Sequence, residues 1–152
     1  MAGFKFSLQT LLSLKEQFEK SAKNELGLAM KALEEEKAKL ASIDAGISHF
    51  TEEYRTAASG SIQPEKIKEI KAYLETLYAD RERQKAVIKR KQEMVDKIRE
   101  KVVSIMKERK VLENLKEKEL ERYKKQEEQK EQKRTDELVS YKESVKKKDN
   151  SS

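Results

Sequence analysis

HFTEEYRTAASGSIQPEKIKEIKAYLETLY, residues 49–78, holds the only proline of the chain, a run of small residues, and four of its nine Phe and Tyr side chains. Its centre, AASGSIQP (57–64), breaks a helical pattern that runs on either side of it. Gly60 can take a positive φ at a helix end, and Pro64 is tolerated in a helix only within the first turn. The segment therefore predicts one helix over about 5–58, a turn over about 59–63, and a second helix from Pro64 to about 145.

Upstream of the turn, Leu8, Leu11, Phe18, Ala22, Leu26, Ala29, Leu33, Leu40, Ile43, Ile47, Phe50, Tyr54 and Ala57 trace one helical stripe. The consecutive steps of four across Phe18, Ala22 and Leu26 depart from a strict heptad as a stutter does, so supercoiling is expected to relax there. Gly27 and Gly46 each cost roughly 1 kcal/mol relative to Ala inside a helix, and fit either a close backbone approach or local pliability.

Downstream, Ile67, Ile70, Leu74, Leu77, Ile88, Val95, Ile98, Val102, Ile105 and Leu112 fall on an unbroken alternation of three and four. The same register puts Arg81, Gln84, Lys91 and Arg109 on the seam. Polar residues there can fix register at a cost in stability, and long side chains can instead snorkel outward, which is the favoured expectation in a two-stranded seam.

Neither helix can hide its stripe alone, and the connection is short, so an antiparallel pairing follows. With the turn centred near residue 61, Leu8 lies opposite about 114–119, and Phe4 and Phe6 can reach Leu120 and Tyr123. The apolar pattern of the second helix fades near that point. KKQEEQKEQKR (124–134) has no apolar residue, but good helix formers and mixed charges can keep it helical. The expected fold is all-α: a single coiled-coil domain over 1–152, an antiparallel two-helix coiled-coil hairpin whose second helix extends beyond the first, with a frayed tail at 146–152. At ~1.5 Å per residue the helices would be roughly 80 and 120 Å long.

Composition agrees: 42% of residues are charged, 6% aromatic and four are Gly, which leaves little material for a globular core. The chain has no cysteine, so disulfide and thiolate metal chemistry are excluded, and a reducing compartment such as cytoplasm suits it. MAGFKFSLQTLLSLKE at the start is interrupted by Lys5, Ser7, Gln9 and Thr10 and reads as an amphipathic helix start rather than a signal sequence. No window approaches the ~18 apolar residues of a membrane span, so insertion into a bilayer is not expected.

A two-stranded hairpin offers little concavity for converging catalytic groups, so no enzyme, no catalytic residue, no cofactor site and no metal site is expected. His49 is the only histidine and reads as an exposed helix residue; Glu34, Glu35 and Glu36 read as a solvated face. The net charge of +6 is spread among 35 basic and 29 acidic residues, which does not point to nucleic acid. The basic group Arg81, Arg83, Lys85, Lys89, Arg90 and Lys91, interspersed with Asp80 and Glu82, leaves an acidic protein, nucleic acid or anionic membrane as alternative partners beside a simply solvated face. The aromatics around the turn have two readings that can coexist. They can pin the turn by packing on one another, or serve as a recognition surface in which Tyr supplies large, low-entropy contact area.

Three stretches resemble the FliJ family of the bacterial flagellar type III export apparatus: FKFSLQTLLSLKEQFEKSAKNEL at the start, YRTAASGSI with IKAYLETL around the turn, and KVLENLKEKELERY with TDELVSYK towards the end. The resemblance implies a non-enzymatic stalk and general export chaperone, cytoplasmic and associated with the cytoplasmic face of the inner membrane at the flagellar base. Its implied partners are an export ATPase hexamer (FliI-like), whose ring assembly it would promote, an export gate protein (FlhA-like), and escort chaperones. A free homodimer in isolation is compatible with it. By resemblance, the gate-contacting positions are Ile43, Ile47, Phe50, Tyr54, Tyr73, Leu77, Asp80 and Gln84, and the ATPase-ring positions at the open end are Leu8, Leu12, Lys15, Asp136 and Glu137. Ile43, Asp80 and Gln84 depart from the side chains typical of those places. A stalk of a virulence-type secretion system or a rotary ATPase is the architectural alternative.

Overall fold

A computed structural model describes residues 3–150. Two helices account for nearly all of them: α1, Gln9–Ser59, and α2, Pro64–Asn150, packed against each other as a helical hairpin without strands among the described residues. Pro64 opens α2 in the position where its missing N–H costs nothing, and the first helical bond runs from the N–H of Ile67 to the carbonyl of Gln63 (3.2 Å). Gly60 does not use its conformational freedom, since no glycine among the described residues has a positive φ. A side chain serves the end of α1 instead: the hydroxyl of Ser59 donates to the carbonyl of Thr56 (3.0 Å). That carbonyl is among the last four of α1, where a Schellman ending would have used backbone donors.

The helix ends differ from the sequence expectation in two other places. α1 begins at Gln9 rather than near residue 5, because Phe6 turns inward: its carbonyl accepts from the N–H of Gln9 (3.1 Å) and its ring is buried against Leu12 and Leu112. α2 continues to Asn150 rather than giving way to a frayed tail at 146, with Lys147 and Lys148 in its last turn, where cations suit the negative end of the helix dipole. Residues 151 and 152 lie outside the described residues.

The chain packs as two compact units, 18–104 and 1–17 with 105–152. In the first, which contains the turn, Glu25 meets Lys101 (3.3 Å), Glu36 meets Gln84 (2.5 Å) and Phe50 meets Tyr73 (4.6 Å between centroids), the antiparallel order. Its core is Ala22, Leu33, Ile47, Ile70, Leu77, Val95, Ile98 and Val102, all buried. In the second, Gln9 accepts from Lys116 (2.7 Å), Lys15 pairs with Glu108 (2.6 Å) and Phe4 packs on Tyr123 (5.7 Å), the last contact as the sequence suggested. Phe6, expected to reach the same end, joins Leu12 and Leu112 instead.

Burial along α1 removes the expected stutter. Phe18 is 46% exposed, while Glu19 is buried beside it, its carboxylate 3.1 Å from Lys23. Leu8 and Leu11 are likewise exposed and Leu12 is 2% exposed. The seam therefore runs Leu12, Lys15, Glu19, Ala22, Leu26, Ala29, Leu33, Glu36, Leu40, Ile43, Ile47, Phe50, an unbroken heptad alternation with three charged members. A stripe drawn from apolar residues alone had stepped onto the neighbouring exposed row at Phe18, which produced the apparent stutter. The two glycines within α1 also separate: a Cβ on Gly46 would lie 3.6 Å from Leu77, an ordinary contact across the seam, whereas Gly27 faces open space.

Candidate functional site

The turn-containing unit carries the aromatic group. Phe50 is half-buried, with Tyr73 from α2 edge-on at 4.6 Å and 65° and His49 at 5.0 Å and 80°. Edge-to-face geometry places the positive rim of one ring on the negative face of the other, which fixes the ring orientations. Below them Ile47 and Leu77 are buried in the seam. Tyr54 and Tyr73 remain 38% and 49% exposed, so aromatic surface is held in place and also offered to solvent. Both readings of the aromatics thus have a structural counterpart: Phe50, Ile47 and Leu77 pack, while Tyr54 and Tyr73 face water.

The remaining positions assigned by resemblance are engaged within the hairpin. Ile43 is half-buried in the seam. Asp80 is paired with Arg83. Gln84 does not snorkel; its amide donates to both the carbonyl (2.9 Å) and the carboxylate (2.5 Å) of Glu36 on the opposite helix. That bond, followed by the hydrogen bond from Lys39 and the charges of Lys39 and Lys91, holds the Glu36 carboxyl below its ordinary range, against the opposing effect of burial. Glu36 was read from sequence as part of a solvated face. Its side chain is only 16% exposed, and the signal that places it on the seam is its heptad position between Leu33 and Leu40. Tyr78, 44% exposed with the Arg81 guanidinium 5.4 Å from its ring centre, is the fourth aromatic of this stretch and was not among the contact positions assigned by resemblance.

Half of the basic group beside it is neutralised. Arg81 approaches Asp44 (3.9 Å), Arg83 pairs with Asp80, and Lys85 reaches Glu82 (3.5 Å), while Lys89, Arg90 and Lys91 are exposed. Internal partners of this kind leave less positive field for an external polyanion. His49 is exposed and 3.3 Å from Glu53. Among the described residues no group of three or more His, Asp and Glu is placed to hold a metal ion, and no helix is long and apolar enough to cross a membrane.

A family model described as flagellar FliJ protein matches residues 4–148. The chain belongs to the FliJ family. Searches of curated proteins and of solved structures each gave no match. Membership makes this FliJ-family chain a component of the flagellar protein export apparatus, in a family of non-enzymatic export components. Against the FliJ-derived expectation for the open end, Leu8 is exposed, but Leu12 is enclosed by Phe6 and Leu112, and Lys15 is paired with Glu108. Asp136 and Glu137 are exposed on α2, about 36 Å along the helix from Leu112. These five residues do not converge on one site within their unit. Leu12 supports the surface around it rather than forming it.

Proposed function

We propose that the chain acts in flagellar export as a stalk and general export chaperone: one end promotes assembly of a FliI-like ATPase ring, and the turn contacts the linker of an FlhA-like gate. It works without catalysing a reaction itself, receives escort chaperones, and resides in the cytoplasm at the membrane face of the flagellar base. The observation that carries the gate assignment is the pair Tyr54 and Tyr73, exposed although the half-buried Phe50, edge-on to Tyr73, supplies the packing that a turn requires. A turn that needed only pinning would be served by the buried residues. The ring assignment rests on family membership and on α2 continuing well past the last buried seam residue, Leu112.

In-cell photocrosslinking from a probe at Tyr73 tests the gate contact. Capture of the gate linker is expected; crosslinks confined to the chain itself, with a probe active elsewhere, would return the tyrosines to a structural role. The ring assignment has its own measurement, since the protein should be inert towards ATP alone and raise the turnover and oligomer fraction of its cognate ATPase.

A further inference from the structure

Beside the seam, the unit formed by residues 1–17 and 105–152 carries a second ordered face. Leu11 and Leu14 on α1 each immediately precede a seam residue, Leu12 and Lys15; Val111 and Leu115 on α2 likewise precede Leu112 and Lys116. In an antiparallel pair, residues just before the seam on both helices flank the same side of the interface. The cross-helix contacts Gln9–Lys116 and Lys15–Glu108 set these four at the same level. All four are exposed, at 40%, 42%, 59% and 41% in that order, an apolar cluster contributed by both helices.

The row that carries Val111 and Leu115 continues at steps of three, four and three through Lys118, Arg122 and Lys125. All three are exposed, and none has an ion-pair partner among the described residues, whereas Lys15, Arg109 and Lys130 of the same unit pair with Glu108, Glu113 and Glu127. An apolar pad spread over two helices and prolonged by unneutralised cations at helical spacing is the complement of a single amphipathic helix. Its apolar face would fill the groove between α1 and α2, and acidic residues would follow at one end.

We infer that this lateral face is a docking site for one amphipathic partner helix whose apolar stripe is continued by Asp or Glu. The helix would lie along α2, its leucine-type side chains between Leu11, Leu14, Val111 and Leu115, and its carboxylates against Lys118, Arg122 and Lys125. The site is independent of the stalk reading, because it requires neither a ring nor a gate.

The probe is a labelled amphipathic peptide of about 20 residues with Leu at steps of three and four and Glu over one terminal half, compared with a twin carrying Lys for Glu. Fluorescence anisotropy with the full chain is expected to show saturable binding of the acidic peptide, weakened by salt, and binding of the basic twin at least about tenfold weaker. The double variant Leu11→Ser/Val111→Ser should lose about tenfold or more, and Lys118→Glu/Arg122→Glu should reverse the preference between the peptides. All four positions are exposed and outside the seam, and helical circular dichroism checks that each variant stays folded. Equal binding of both peptides, binding by neither, or indifference to the serine variant would overturn the inference. So would concentration-dependent self-association that the serine variant abolishes, since the occupant would then be a second copy of the chain.

Discussion

Within the turn-containing unit, two stretches of α2 occupy the same seam and solve it in different ways. From Val95 to Val102 the seam positions are Val95, Ile98 and Val102, exposed by 0%, 7% and 6%, held by dispersion and desolvation, and the Lys101–Glu25 pair beside them is exposed and adds little. From Arg81 to Lys91 the positions are Arg81, Gln84, Ile88 and Lys91; the first two lie partly in the seam and the last is exposed. The first stretch stabilises any register that keeps apolar residues together. The second discriminates between registers, because Gln84 finds Glu36 in only one of them. Stability and alignment are therefore assigned to different segments of one helix.

The largest test of that division is Val95→Ala. Removing two carbons from the most buried side chain should cost about 2–3 kcal/mol, read as a lower urea midpoint by circular dichroism. A cost under half of that would mean that the apolar stretch collapses around the gap and is not the tightly packed section described.

Arg81→Leu probes the other stretch and should act in the opposite direction. The Arg81 Nε is buried without a hydrogen-bond partner, its ion pair with Asp44 is long at 3.9 Å, and its ring contact with Tyr78 is partly exposed. Replacing it with an apolar side chain removes an unsatisfied donor and adds seam contact, against a cation–π contribution of about 0.5–1 kcal/mol. The variant is expected to be more stable by about 1 kcal/mol in the same denaturation experiment. Destabilisation by a comparable amount would show that the guanidinium anchors this segment.

The same contrast explains what could be read from the sequence. The turn, the start of α2 at Pro64 and the α2 seam from Ile67 to Leu112 were legible because Ile, Leu and Val mark ten of its fourteen positions, and the polar exceptions fell inside a register fixed on both sides. In α1 the marks were too sparse between Leu12 and Ala22: Lys15 and Glu19 hold the seam, and a reading that follows hydrophobicity moves to Leu11 and Phe18, one residue away. Of the candidate site, the grouping of Phe50 and Tyr73 was legible from spacing around the turn. The tie between Gln84 and Glu36 was not, since a cross-helix hydrogen bond leaves no periodicity in either helix alone. The end of α1 went unread for a related reason, because Ser59 bonds the terminal Thr56 carbonyl through its own side chain and Gly60 keeps a negative φ.

The smallest expected effect concerns that tie. Glu36 has a folded-state pKa below its ordinary value, chiefly through the Gln84 amide and then Lys39. The unfolded chain therefore binds more protons between the two values, so the contribution is complete above the ordinary carboxylate pKa of about 4.3 and is lost as pH falls through the lower folded value. Gln84→Leu removes the leading cause and leaves Lys39 and Lys91. Stability measured from near-neutral pH down into the acid range should fall less steeply in the variant than in the parent chain. At the acid end, where the carboxyl is protonated in both, the difference between the two curves should level off at a constant value, since the bond from Gln84 to the Glu36 carbonyl does not titrate. Other carboxylates titrate in the same range, so the difference between the two curves is the quantity to compare. A Glu36→Gln chain gives the control, because it lacks the titrating group and should show the same flattening whether or not Gln84 is present. If Gln84→Leu still flattens the profile when residue 36 is Gln, the amide acts on some other carboxylate and the alignment function of this stretch lies elsewhere.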